Sequence, residues 1–208
     1  NGTAMETSVA CIYATIYYSY HEETRLLPTY RSSLLYYCQF IDDIIGIWIP
    51  SDSDNFQWAA FKADLDFGLL RWETEELAHS VNFLDLTISV GTDSKLTTRT
   101  FQKAMNLYLY LCPSSSHPPG VMKGLIYGSV RRFWLQNSNP DDYRQVIKAF
   151  FTHLRARGHT REKLIPLFLE AADHVDSQQT APKPIKAQPS ITPARLLYTS
   201  PSPRDRQK

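Results

Sequence analysis

The segment LLYYCQFIDDIIGIWI, residues 34–49, constrains the fold more than any other part of the sequence. Two runs of β-branched and aromatic residues, which favour strands, flank the adjacent acidic pair Asp42 and Asp43. Asp is common in tight turns, and Pro50 interrupts the second run. The pattern predicts antiparallel strands near 35–41 and 44–49, joined by an exposed turn that carries both carboxylates.

The acidic pair also indicates a type of chemistry. Two adjacent carboxylates repel each other and are costly to place among apolar residues unless cations neutralise them. Mg²⁺ prefers oxygen ligands, and paired ions can activate an attacking hydroxyl in phosphoryl transfer. Because Asp-Asp is also common in ordinary turns, a turn without metal remains the alternative. The residue types favour a Mg²⁺ site at Asp42 and Asp43.

The rest of the first half predicts a mixed α+β fold. A helix is expected to begin near Thr3 or Thr7 and to continue through Tyr20, and the apolar spacing of residues 56–72 indicates a second helix. Alternating polarity predicts two paired strands, residues 80–90 and 96–104, around a turn at 91–94.

From Gly120 the pattern becomes helical. Three helices are predicted, over residues 121–138, from an Asp141 cap to Gly158, and from Thr160 onward. After Ser177 the chain is rich in Pro, Gln, Ser and Lys, which predicts a disordered tail. Its end, residues 196–208, resembles the translation of a sequencing-library adapter at the end of a transcript-derived sequence. The fold prediction leaves these residues out.

Charge is distributed unevenly between the two halves. Residues 1–91 contain 4 Lys or Arg and 13 Asp or Glu, a net charge of −9, whereas residues 92–163 contain 12 and 4, a net charge of +8. An acidic half followed by a basic half suits a metal-dependent enzyme that acts on a polyanion. Chance distribution over solvated faces is the alternative.

Several classes of protein are disfavoured. Cys11, Cys38 and Cys112 are far apart and form no CxxC motif, which argues against a disulfide framework or a structural zinc site and favours a reducing compartment. No run approaches 18 consecutive apolar residues, so neither a transmembrane helix nor a membrane partner is expected.

The acidic hairpin resembles a known motif. Phe40-Ile41-Asp42-Asp43 is similar to the Y/F-x-D-D hairpin of reverse transcriptases, most closely in the branch that includes Penelope-like retroelements. The resemblance covers roughly residues 1–160, with several other segments in the family's order. These are Gly2-Thr3-Ala4-Met5 with Thr7-Ser8, VNFLDLTI at 81–88, Lys103 with Asn106, Tyr108 and Leu109, Ser116-His117-Pro118, and Gly120 with Lys123, Ile126, Arg131 and Arg132.

The resemblance implies an RNA-directed DNA polymerase that uses two-metal nucleotidyl transfer. Residues 1–112 would form part of the palm, residues 113–176 a basic, thumb-like helical region, and residues 177–208 the tail. The implied partners are an RNA template, a DNA primer and deoxynucleoside triphosphates, with Mg²⁺ as cofactor and an intracellular setting such as the nucleus. The implied site residues are Asp42 and Asp43 for catalysis and metal binding, Gly2, Thr3, Met5 and Ser8 for nucleotide and template, and Lys103, Lys123, Arg131 and Arg132 for nucleic acid.

Departures from the family pattern matter as well. The family completes its metal site with a further Asp on a strand ahead of residues 2–8. Asp64 and Asp66 do not match this Asp, because they follow the hairpin and lie on a predicted helix. Glu6 stands where relatives usually carry Gly, and its charge would repel nucleotide phosphates. We therefore expect the chain by itself not to extend primers. A non-catalytic nucleic-acid-binding remnant is the main alternative, and a structural or protein-interaction domain is the third.

Aromatic residues in the basic half allow two interpretations. Their rings could stack on bases, as aromatic side chains do in single-strand binding proteins. At these spacings, however, they are more often part of a core. The residues concerned are Tyr108, Tyr110, Phe133 and Trp134.

Overall fold

A computed structural model describes residues 9–49, 54–68, 70–179 and 195–201. The fold is α+β, as predicted. The helices are α1 (Ala10–His21), α2 (Leu27–Tyr30), α3 (Asp54–Leu65), α4 (Val121–Gln136), α5 (Pro140–Ala156) and α6 (Arg161–Gln179), with a π-helical segment, Glu22–Leu26, between α1 and α2. The strands are β1 (Leu34–Phe40), β2 (Asp43–Trp48), β3 (Trp72–Thr74), β4 (Ser80–Phe83), β5 (Leu86–Val90), β6 (Leu96–Thr100) and β7 (Arg195–Pro201).

The chain divides into two units. Among the described residues, unit 1 contains those within 9–83 together with 89–95 and 195–201, and unit 2 contains 84–88 and 96–179. The boundary that the sequence suggested, between 112 and 113, does not coincide with this division, because residues 96–112 group with the helices of unit 2.

A four-stranded sheet forms the centre of unit 1. Its strand order is β1-β2-β7-β3, and each neighbouring pair is antiparallel. Helices α1 to α3 supply the apolar side chains that pack with Ile44 and Trp48 of β2. The buried core of this unit consists of Tyr18, Leu26, Tyr30, Leu34, Ile44, Trp48, Trp58, Phe61 and Leu65.

Two helices of unit 1 differ from their predicted bounds. The first is confirmed over Ala10–His21, and its expected start at Thr3 or Thr7 lies outside the described residues. The second ends at Leu65, and Trp72 lies in β3 instead. The apolar residues at 67, 70 and 72 fit a helical period but also suit a short strand, so periodicity alone could not separate the two.

Part of the predicted tail is ordered. α6 continues to Gln179, and Arg195–Pro201 forms β7, which pairs with Ile44–Trp48 of β2 and with β3. The prediction of disorder over 177–208 is therefore wrong for these residues. It rested on local composition, whereas Leu196, Leu197 and Tyr198 favour strands and meet backbone partners distant in sequence.

The second sheet is a meander of order β4-β5-β6. The segment 80–90, expected to be one strand, forms two strands because the chain turns at Leu84, whose φ is +52°. The predicted turn at 91–94 is confirmed between β5 and β6, where the Gly91 N–H donates to the Lys95 carbonyl at 2.8 Å.

Helices α4 to α6 form the core of unit 2. The three predicted helices are confirmed, and Gly158 follows α5 with φ +95°, as its predicted left-handed position requires. The N-cap of α5 is Asn139 rather than Asp141, because the Asn139 side chain accepts the Asp141 N–H at 2.9 Å. Among the described residues, no helix has the length and apolar content needed to cross a bilayer.

Candidate functional site

The acidic pair lies at the tip of the β1–β2 hairpin. Phe40 pairs with Asp43, so Ile41 and Asp42 form a two-residue turn. The turn requires φ +55° at Ile41, which is uncommon for a β-branched residue, and the Gln39 side-chain amide donates to the Ile41 carbonyl at 2.8 Å. Asp42 is exposed and Asp43 half-buried. The predicted antiparallel hairpin is confirmed, except that Asp43 begins β2 and is half-buried instead of lying in the exposed turn.

The strand behind the acidic pair is firmly packed. Ile44, Ile45, Ile47 and Trp48 of β2 are all buried. The Trp48 ring lies 5.4 Å from that of Trp58 and 5.2 Å from that of Phe61, both on α3. Aromatic pairs at these separations add to the energy of burial, so the core fixes the backbone from which Asp43 projects.

Two carboxylates at one turn suit Mg²⁺, which is commonly held by one or two carboxylates together with water and phosphate oxygens. Among the described residues, no group of three or more His, Cys, Asp or Glu side chains converges as a metal site. Among the described residues, Asp42 and Asp43 can therefore supply only some of the ligands that a two-ion site needs.

Asp64 and Asp66 serve the fold of unit 1. Arg25 and the Tyr30 hydroxyl donate to the Asp64 carboxylate at 2.7 Å and 2.9 Å, and burial together with this carboxylate raises the pKa of Tyr30 to about 12. Asp66 lies beyond the end of α3, contrary to its predicted helical position, and accepts the Trp72 N–H at 2.9 Å. Both carboxylates have structural partners.

A buried carboxylate in unit 1 had no signal in the sequence. Glu22 begins the π-helical segment and is only 7% exposed. Burial raises the pKa of its carboxyl, and a 2.6 Å hydrogen bond from the Tyr37 hydroxyl opposes that shift. In the sequence the pair Glu22-Glu23 resembles an ordinary solvated helix face, so nothing local indicates that Glu22 is buried.

Unit 2 contains a pocket of about 360 Å³ with two cationic residues in its lining, Lys103 and Arg132. The Arg132 guanidinium lies 3.5 Å from the Asp85 carboxylate, in a pair whose side chains are both more than half exposed. Besides Asp85, the remaining lining residues are polar, aromatic or apolar: Leu84, Thr100, Phe101, Gln102, Met105, Asn106 and Tyr110. The pocket can receive an anion beside groups that donate and accept hydrogen bonds.

The four predicted nucleic-acid contacts do not form one surface. Lys123 and Arg132 are nine residues apart on α4, about two and a half turns, and so lie on opposite sides of the helix. Lys123 contacts Glu170 of α6 at 2.6 Å, and this carboxylate raises the pKa of the Lys123 ammonium. Arg131 is exposed and does not line the pocket, so only Lys103 and Arg132 come together there.

The aromatic residues of unit 2 mainly build its core. Phe133 is 1% exposed, and the Trp134 ring packs edge-on against Tyr143 at 5.2 Å. Tyr108 stacks on His153 at 3.8 Å, while Tyr110 packs against Phe150 and also lines the pocket. Core packing is favoured over base stacking for Phe133 and Trp134. Tyr110 packs against the core and also lines the pocket, whereas Tyr108 is half-buried outside the core cluster.

The predicted nucleotide and template residues Gly2, Thr3, Met5 and Ser8 lie outside the described residues.

Compared with known proteins, the chain matches no family model, and no curated protein or solved structure shows significant similarity to it.

Proposed function

We propose that the chain is part of a retroelement reverse transcriptase, an RNA-directed DNA polymerase, and that its acidic hairpin holds Mg²⁺. The observation that supports this proposal is the two-residue turn that presents Asp42 and Asp43 above the buried strand β2. Asp42 at the exposed tip, with the half-buried Asp43 next to it, is accessible to a hydrated cation and to the phosphates of an incoming nucleotide.

In nucleotidyl transfer the primer 3′ hydroxyl attacks the α-phosphate of a deoxynucleoside triphosphate, and pyrophosphate leaves. Mg²⁺ held with the help of Asp42 and Asp43 would activate the hydroxyl and stabilise charge on the leaving oxygen. Asp42, at the exposed turn, supplies carboxylate oxygens that face water, and Asp43 places a second carboxylate at the first residue of β2. The carboxylates that complete such a site belong to other elements, because no third acidic residue joins this pair among those described.

In this proposal the basic residues of unit 2 bind the nucleic-acid backbone. Lys103 and Arg132 line one pocket, where their charges suit the phosphates of an RNA template or a DNA primer. Such contacts position the strand without reading its sequence.

The second candidate function is nucleic-acid binding without catalysis. It is favoured by the same basic pocket together with the lack of a converging group of three metal-binding side chains in the described part of the chain. In this candidate Asp42 and Asp43 shape the hairpin and bind no metal.

Metal binding separates the two candidates. Mn²⁺, a paramagnetic substitute for Mg²⁺, is titrated into the 208-residue chain and followed by electron paramagnetic resonance. We expect Asp42→Asn and Asp43→Asn each to weaken Mn²⁺ binding by about tenfold or more, since each removes one charged ligand. The matched control is Asp93→Asn, which removes a carboxylate from the exposed turn between β5 and β6.

If Asp42→Asn and Asp93→Asn bind Mn²⁺ equally, the hairpin is not a metal site and the catalytic proposal fails. If nucleic-acid binding then persists in Asp42→Asn, the second candidate is the better account. Addition of a deoxynucleoside triphosphate should tighten Mn²⁺ binding in the wild type, since phosphate oxygens complete the coordination of the ion.

A further inference from the structure

Helix α1 presents an apolar face to solvent. Val9, Ile12, Tyr13, Ile16 and Tyr20 follow the spacing of one helical face and are each 60–68% exposed. We call these five residues the α1 stripe. Tyr18 lies on the opposite side of the helix and is 1% exposed, because its hydroxyl donates to the Leu65 carbonyl inside the core of unit 1. The helix is thus anchored by one face and leaves the other uncovered within its unit.

The α1 stripe is large and uncharged. Residues 9–20, VACIYATIYYSY, contain no Asp, Glu, Lys or Arg. At the observed exposures the five side chains present on the order of 600 Å² of surface per copy. Exposed apolar patches of this size are at the upper end of those found on monomeric proteins, and such patches are often interaction surfaces.

We propose that the α1 stripe is a homodimer interface, in which it packs antiparallel against the same stripe of a second copy. Complete burial of the stripe in both copies would remove about 1,200 Å² from water, which is the lower end of the range for specific interfaces. A two-fold interface must be self-complementary, and an uncharged face brings no like charges together. Tyr is also enriched at interface centres.

The charge beside the stripe sets the orientation. Glu23 is exposed just beyond the end of α1. Antiparallel packing places Glu23 of each copy near the first turn of the other α1, where a helix favours negative charge. Parallel packing would place the two Glu23 side chains next to each other and add repulsion.

A membrane surface is a poorer occupant of this face. Interfacial helices that bind anionic lipid carry Lys or Arg beside their apolar face, whereas α1 has none and is followed by Glu22 and Glu23. A second copy supplies an apolar surface without that electrostatic requirement.

The test compares the oligomeric state of the full chain with that of Ile16→Glu by sedimentation velocity over a dilution series. We expect a reversible dimer with micromolar dissociation, weakened about tenfold or more by Ile16→Glu, because the dimer would bury a carboxylate. The matched control is Leu169→Glu, which places the same charge at a 61% exposed apolar position on α6. Circular dichroism verifies that both variants keep their helices. If Ile16→Glu loses helical structure, Ile12→Glu replaces it as the test variant.

Other outcomes would overturn the proposal. It fails if the wild type is monomeric throughout the series, or if Ile16→Glu and Leu169→Glu change association equally. It also fails if the chain forms only larger aggregates that Ile16→Glu leaves unchanged. Binding of monomer to phosphatidylcholine vesicles that depends on Ile16 would assign the stripe to a lipid surface instead.

Discussion

The Tyr37 hydroxyl on β1 donates a 2.6 Å hydrogen bond to the carboxylate of Glu22, which is buried in the π-helical segment. This bond joins the first strand of the acidic hairpin to the helices beneath it. Burial disfavours the charged carboxylate and raises the pKa of Glu22 above its ordinary value of 4.5. The hydrogen bond from Tyr37 supplies a donor to that carboxylate and partly opposes the shift. The same burial, with the nearby Glu22 charge, raises the pKa of Tyr37 and keeps its hydroxyl protonated.

The first prediction concerns the pH dependence of stability. Because the folded-state pKa of Glu22 is raised, the protonated Glu22 stabilises the fold. This stabilisation is fully present below about pH 4.5 and is lost as the pH rises through the folded-state pKa. Glu22→Gln stays neutral and keeps an oxygen that can accept from Tyr37. We expect Glu22→Gln to gain stability relative to wild type as the pH rises from about 4.5 towards 7, measured by urea unfolding.

The matched control for this prediction is Glu23→Gln, which removes an exposed carboxylate at the next position. Its stability difference from wild type should change less over the same pH range than that of Glu22→Gln, because the Glu23 charge is only a lesser cause of the raised pKa of Glu22. A pH-independent difference for Glu22→Gln would contradict the assignment of a raised pKa. Tyr37→Phe should cost about 1–3 kcal/mol, because it leaves a buried carboxylate without its donor.

The second prediction uses two glycines of unit 2. Gly128 lies within α4 with open space where a Cβ would be, whereas Gly158 has φ +95° after α5. We expect Gly128→Ala to stabilise the protein by about 0.5–1 kcal/mol, because Ala restricts the unfolded chain and favours helix. Gly158→Ala should destabilise it by about 1 kcal/mol through backbone strain, although the nearest atom of Pro113 is 3.7 Å from the added Cβ. Equal effects of the two changes in denaturant unfolding would contradict this account.

The acidic hairpin could be predicted because its signal is local. Strand-forming residues on both sides of Asp42 and Asp43 leave few other conformations, and the confirmed turn follows from that pattern. The β4–β5 turn had no such signal, since Leu84 adopts a positive φ that only tertiary context imposes on a leucine. Likewise β7 pairs with residues about 150 positions earlier in the chain, and such pairing cannot be inferred from composition.

The candidate site was predictable to a lesser extent. Residue type and resemblance singled out Lys103 and Arg132, but the sequence did not show that they share a pocket with Asp85. Lys123 belongs to the same basic helix, yet the helical period directs it towards Glu170. Charge in the sequence predicts contact with polyanions, whereas the surface that would make this contact depends on packing.

The third prediction tests the cap of α5. Asn139→Ala should reduce stability by about 1 kcal/mol, because the Asp141 N–H loses the side-chain oxygen that accepts it at 2.9 Å. Asp141→Ala is the comparison, since the sequence had favoured Asp141 as the cap. It removes only an exposed pair with Arg144 and a first-turn charge, so we expect a smaller loss. A larger loss for Asp141→Ala in urea unfolding would restore the original assignment.

The fourth prediction concerns nucleic-acid binding by the pocket of unit 2. Binding should be independent of sequence and should weaken steeply with salt, because cations such as Lys103 and Arg132 displace counterions from phosphates. Fluorescence anisotropy with a labelled primer–template duplex, repeated over a salt series, measures both the affinity and its salt dependence. In the wild type the logarithm of the binding constant should fall linearly with the logarithm of the salt concentration.

Single substitutions in α4 and beside it locate the surface that binds. Lys103→Ala and Arg132→Ala should each lower the salt dependence by about one counterion and weaken binding of all sequences alike. Lys123→Ala removes the same charge from the opposite side of α4, where the ammonium already contacts Glu170 at 2.6 Å, and should leave the salt dependence unchanged. If Lys123→Ala lowers it as much as Arg132→Ala does, net charge rather than the pocket governs binding. If neither does, the phosphates contact another surface of the chain.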